Sequence, residues 1–177
     1  MLRRFGRNRR GSAIVEFALI APIFIALLFA IIETSLMFLA SESLETINEN
    51  AARLIRTGQA QSTYSTVGAY LTQVICNPAP ALFTCNPSNG ISVDIKSYSS
   101  FQNVVISNQI VNGNFDTSNL SYSLGGSCDV VVARLFYKWP FFVTGLGYNI
   151  TNLTGNQRLL VATAVFRNEP YSGACGS

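Results

Sequence analysis

RRFGRNRRGSAIVEFALIAPIFIALLFAII, Arg3 to Ile32, is the stretch that decides the architecture. Five arginines precede Gly11, Glu16 follows that glycine at the fifth position, and Phe17 to Ile32 carries no charge. At about 1.5 Å per residue the uncharged core reaches about 24 Å as a helix, and flanking residues complete a hydrocarbon crossing of about 30 Å. The run extends to Ala40 if Glu33, Thr34 and Ser35 sit near the interface. One membrane-spanning helix is expected.

Charge sets its direction. Arg3, Arg4, Arg7, Arg9 and Arg10 lie before the span, whereas Glu42, Glu45 and Glu49 follow it. The excess of arginine places the N-terminus in the cytoplasm and the residues after about 40 on the far side. A cleaved secretory signal is the competing reading. Against it, the apolar run is long for such a signal, and Ala40, the small residue near its end, has Phe38 at the minus-three position where a small side chain is wanted.

Glu16 is the sharper clue, because a carboxylate within an apolar membrane helix costs about 2.5 to 3.5 kcal/mol at mid-bilayer and marks function. A cut between Gly11 and Ser12 would make Glu16 the fifth residue of a new chain. Its carboxylate could then pair with the N-terminal ammonium of a neighbouring copy in an apolar filament core, neutralising two charges that are costly to bury singly.

The segment GSAIVEFALIAP, Gly11 to Pro22, resembles the processing and helix signature of class III prepilins, cut after the glycine by a dedicated prepilin peptidase. More narrowly, VEFALIAP, AARLIRTGQ (Ala51 to Gln59) and ATAVFRNEPY (Ala162 to Tyr171) resemble TadE-like minor pilins, or pseudopilins, of the tight-adherence (Flp) pilus. Ser12 replaces the aromatic residue common after the cut in other type IV pilins, and Phe17 stands where the major Flp pilin has tyrosine; both agree with a TadE-like subunit. The resemblance implies Gly11, Ser12, Glu16 and Phe17 as the processing determinants. It implies as partners the peptidase, a second minor pilin, the major Flp pilin and the inner-membrane assembly platform. The implied location is the bacterial inner membrane, with the C-terminal domain periplasmic or carried into a surface pilus that serves adhesion and biofilm formation.

Length separates this chain from a major subunit, which is little more than the helix. Here residues 59–177 suffice for one small domain. The expected organisation is a leader at 1–11, a membrane or filament-core helix at 12–40, an amphipathic extension at 41–58, and an α+β domain beyond. Ala40, Leu44, Ile47, Ala51 and Leu54 recur at three and four residues, so one helix face is apolar while Glu42, Glu45, Glu49 and Arg53 lie mostly opposite. Arg53 and Arg56 suit the C-terminal end, and Gly58 is placed to close it.

Residues 63–75 predict a second helix with Val67, Leu71, Val74 and Ile75 on one side. Pro78, Pro80 and Pro87 make the following segment a loop bracketed by Cys76 and Cys85. Four cysteines beyond the membrane, without any histidine, indicate disulfides rather than metal. Of three pairings, Cys76 with Cys85 and Cys128 with Cys175 are favoured, and no CxxC knuckle supports zinc.

Ile91, Val93 and Ile95 alternate with Ser92, Asp94 and Lys96 as in a half-buried strand. Val131, Ala133, Leu135, Tyr137 and Trp139 form an apolar strand face, with Arg134 and Lys138 pointing the other way. Leu159 to Phe166 is apolar on both faces and reads as a central strand. Phe101 to Ile110 reads equally as strand or helix, and 112–127 reads as a long surface connection. A small antiparallel sheet packed on the long helix is the expected α+β fold.

Enzyme chemistry finds no support: there is no histidine for a Ser/His or Cys/His couple, and Asp94, Asp116, Asp129 and Glu169 are scattered acids. No cofactor motif is present, since Gly145 and Gly147 are not followed by a phosphate-binding GKS or GKT. Nucleic acid is not an expected partner. Of 12 basic side chains five lie in residues 1–11, so seven remain against 9 acidic ones once a leader is removed. The alternative to a processed pilin is an unprocessed, single-pass anchored periplasmic binding module.

Overall fold

A helix that is apolar on every side at one end and on one stripe at the other needs two different surroundings, and the fold supplies one of them. The computed structural model describes residues 10–86, 89–142, 149–171, 173 and 175; the expected leader up to residue 9 lies outside the described residues. Helix α1 runs Arg10–Arg56, about 70 Å at the standard rise. Helix α2 (Gln59–Thr63) and helix α3 (Val67–Tyr70), which continues as a π-helical turn over Leu71–Cys76, follow it. The sheet strands are β1 (Ser92–Tyr98), β4 (Val130–Pro140) and β5 (Gln157–Arg167), and a hairpin is made by β2 (Ile110–Val111) and β3 (Asn114–Phe115).

The sheet is antiparallel in the order β1-β4-β5. Ile95 and Ala164 flank Ala133 in register, so the odd residues of β4 share a face with Val93, Ile95, Leu160 and Ala162. On that face lies the C-terminal half of α1. Met37, Ala40, Leu44, Ile47, Ala51 and Ile55 are buried there. The expected stripe is thus present with one change: Ile55 is fully buried while Leu54 is only half-buried, as the 3.6-residue period drifts around the axis. Gly58 ends the helix in the left-handed region (φ 78°), and a Cβ there would sit 2.5 Å from the Tyr171 ring.

Three expectations need correction. Strand β5 is an edge strand and β4 the central one; β5 is apolar on its inner face because of α1, but Val161 and Val165 remain 41% and 43% exposed on its outer face. The second helix begins at Val67, where the Thr66 side chain accepts from the Ala69 N–H, and Val67 is exposed while Tyr70 is the buried anchor. The polar face of β1 and β4 is not solvated. Asp94 and Arg134 are both buried and bonded, with Nε at 3.1 Å and Nη2 at 2.6 Å from Oδ2.

That pair organises the segment read as a surface connection. Arg134 donates to the Ser107 carbonyl at 2.8 Å, and Asp94 accepts from the Ser121 N–H at 2.8 Å. With its amide assigned from the neighbouring donors and acceptors, Gln109 accepts from Arg134 Nη2 at 2.9 Å and donates to the Asp116 carbonyl at 3.0 Å. Residues 101–103 form a 3-10 turn, so Phe101 to Ile110 is neither long helix nor long strand. Asn112 and Gly113, both at positive φ, make the tight turn of the β2–β3 hairpin. Phe115 from that hairpin packs on Phe136 at 5.2 Å, giving a second small core with Leu153 and Leu159. Ser121 and Ser123 hydrogen-bond Ile95 and close the outer edge of β1.

The cysteines join as Cys76–Cys85 and Cys128–Cys175. The second spans 47 residues and ties the tail to the start of β4; a loop of that length is worth about 2 to 4 kcal/mol in a domain this small. Asn149 and Asn152 use their side-chain oxygens locally, on Thr151 and on the Leu159 N–H.

Removing one partner of a buried pair leaves a charge stranded, whereas a surface pair is screened. Arg134→Met is expected to lower stability by about 3 to 5 kcal/mol. Arg56→Ala, which loses only the 3.5 Å pair with Glu169 between half-exposed side chains, should cost less than about 1 kcal/mol. Urea unfolding of the detergent-solubilised chain, followed by circular dichroism, measures both.

Candidate functional site

From Ala13 to Leu36 no residue of α1 is buried. Ile14, Phe17, Leu19, Ile23, Phe24 and Phe29 are each more than half exposed, on all sides of the helix. Such a surface is stable only in lipid or against other apolar helices. The hydroxyls of Thr34 and Ser35 bond back to the carbonyls of Ala30 and Ile31, so neither presents an unsatisfied polar group there. Pro22 lies within the helix and cannot donate to the carbonyl of Ala18, a loss that membrane helices tolerate.

The residues named as processing determinants fall at the start of this exposed segment. Gly11 and Ser12 are on the first turn of α1; Glu16 is exposed and Phe17 is 72% exposed. Among the described residues the first buried one on α1 is Met37, and before it the helix meets the end of β4 near Glu33.

Beyond Met37 the helix is clamped. Tyr70 is buried and donates its hydroxyl to the Ala51 carbonyl of α1 at 3.1 Å, and Asn48, also buried, donates to the Ala133 carbonyl of β4 at 3.3 Å. Tyr64 and Tyr122 pack edge-on or tilted against the Tyr70 ring at 5.8 and 5.6 Å. Burial, with Tyr122 and Tyr64 adding to it, pushes the Tyr70 hydroxyl well above the ordinary tyrosine range; burial and then Tyr64 push Tyr122 up to about 12. Neither ionises near neutral pH, so the cluster is structural.

Between clamp and span sits a groove of about 450 Å³. Its walls are Phe29, Ile32, Glu33 and Leu36 of α1, Leu82 of the disulfide loop, and Tyr137, Trp139, Pro140 and Phe142 at the end of β4. The Cys76–Cys85 bridge closes the loop that delivers Leu82, and Phe83 beside it packs edge-on against Tyr137 at 5.0 Å. Glu33 accepts from the Phe142 N–H, which ties the end of β4 to the helix. No local pattern announces this groove, because its three walls are more than forty residues apart in the chain. Among the described residues there is no group of acids, histidines or cysteines able to hold a metal.

Residues 11–53 match the family model of TadE-like proteins. The match begins at Gly11 and ends inside α1, so it takes in the exposed segment and most of the clamped stripe but none of the sheet. The resemblance seen in GSAIVEFALIAP is therefore to the same family, one associated with the tight-adherence pilus system. No curated protein and no solved structure matches the chain. The part similar to TadE-like proteins is thus the helix, and the match does not extend to the disulfide-bonded domain.

Because the unfolded chain ionises its tyrosines near pH 10 while the folded chain keeps the Tyr70 and Tyr122 protons, the folded state binds more protons above that pH. The stabilisation is complete below about pH 10 and is lost as pH rises toward and through about 12. Tyr70→Phe should flatten part of this alkaline loss while costing about 1 kcal/mol at neutral pH for the missing hydrogen bond. Urea midpoints across the alkaline range give the comparison.

Proposed function

We propose that this TadE-like chain is a minor pilin, or pseudopilin, of a tight-adherence pilus. A prepilin peptidase cuts it after Gly11, and it then acts in the initiation, capping or assembly of the filament. The observation that supports this most directly is the division of α1 at Met37. The C-terminal half is packed on its own domain, whereas from Ala13 to Leu36 no residue of α1 is buried, with Glu16 exposed near the start. A helix of that kind fits first a bilayer and then a bundle of similar helices. There the carboxylate of Glu16 meets the ammonium of a neighbouring mature chain that begins at Ser12.

In this reading the N-terminus is cytoplasmic and the domain periplasmic, with the inner-membrane assembly platform, a second minor pilin and the major Flp pilin as partners. The domain is too large to repeat along a shaft built of bare helices, which favours the tip or the assembly complex. In this role the work is done by packing and by one charge pair.

Gly11→Leu should leave a membrane-bound precursor that retains residues 1–11, read by mass spectrometry of the extracted N-terminus in strains with and without the peptidase. Normal maturation of that variant would remove the processing step from the proposal, and an intact leader in the wild-type chain would favour the anchored binding module. Glu16→Ala should spare membrane insertion but reduce recovery in sheared pili by about tenfold or more, since the neighbour's ammonium would then be buried alone.

A further inference from the structure

The base of the domain and the exposed part of α1 overlap along the helix axis. On the faces that the domain does not cover, the apolar surface of α1 continues through Phe38 and Leu39, which are 60% and 55% exposed, and the next charge after Glu33 is Glu42. The tip of the domain reaches down to Glu33, where the Phe142 N–H is bound. Six residues separate Glu33 from Leu39, so the tip lies about 9 Å below the upper end of the apolar surface. The tip itself is apolar: Trp139, Pro140 and Phe142 with Leu82, and Phe142 is 86% exposed. A membrane boundary drawn above Leu39 therefore passes above the mouth of the groove.

We propose that the base of the domain is sunk into the leaflet on its own side of the membrane and that lipid acyl chains fill the groove between α1 and the end of β4. This rests on the reading of α1 as a membrane span. The groove wall made by Phe29, Ile32 and Leu36 is continuous with the lipid-facing surface of the span, and Glu33, the charged residue in that wall, is engaged by the Phe142 N–H. Tilt of the domain relative to the membrane is then fixed by two contacts, the helix and the tip, instead of by the helix alone.

Trp139 is the single tryptophan of the chain and lines the groove, so its fluorescence reads the occupant directly. The full chain is reconstituted in phosphatidylcholine vesicles whose acyl chains carry bromine either near the headgroup or near the chain end. Bromine on the acyl chains should quench Trp139 by about half or more relative to unbrominated vesicles. A second protein, Trp139→Phe with Phe142→Trp, moves the sole indole to the exposed tip and should be quenched likewise. An unquenched indole in either protein overturns the proposal; a neighbouring chain's helix in the groove would give that result. Flotation of the same vesicles tests the span separately. A chain that floats but is not quenched leaves the anchor standing and removes the lipid-filled groove, while a chain that does not float removes both.

Discussion

A single helix has to be stable in two solvents, and the change of solvent occurs within one turn. Up to Leu39 the helix exposes apolar side chains on the faces the domain leaves open, and from Ala40 onward only one stripe is apolar. Lipid or neighbouring helices can satisfy the first part. Only a surface with matching spacing can satisfy the second, and the sheet of β1, β4 and β5 is that surface. Small residues make the fit possible: Ala40 and Ala51 on the helix face Ala133 and Ala162 on the sheet, all almost wholly buried. Close approach of the two backbones also lets Asn48 reach the Ala133 carbonyl.

The other side of the sheet follows a different principle. It has few large apolar residues, so a second core of ordinary size is not available. The buried Asp94–Arg134 pair takes its place, with its remaining hydrogen-bonding groups used on Ser107, Gln109 and Ser121. Isolated burial of either charge would be costly, but a pair whose donors and acceptors are occupied holds a long segment in one position. The Arg134 guanidinium also lies over the Phe136 ring at 5.1 Å, joining this network to the small outer core. Two disulfides add covalent limits at the loop below the sheet and at the tail above it.

Function and stability are kept apart by this arrangement. Strong contacts of the domain lie on α1 after Met37, while the residues that the family resemblance associates with processing lie before it. A change of surroundings along the first half, from lipid to other helices, therefore need not disturb the sheet. Among the described residues, the groove at Glu33 is where the two parts meet.

The sequence by itself determined the elements whose signals are local. The uncharged run before Glu33, the stripe after it, the stop at Gly58 and the alternation in β1 and β4 each depend on residues a few positions apart, and the period of the backbone converts them directly into faces. Glu16, five positions after Gly11, was legible for the same reason. Tertiary structure decided what depends on distant segments meeting. An apolar strand reads as central whichever sheet position it occupies, so the edge position of β5, with α1 rather than another strand supplying its cover, was not visible. Asp94 and Arg134 looked solvated because their partner is forty residues away, across two strands in register. The groove combines Phe29, Leu82 and Trp139, which no spacing relates. Long-range pairing is paid for by contacts that exist only after folding, which is why the chain's pattern announces its helix and strand faces but not the neighbours they acquire.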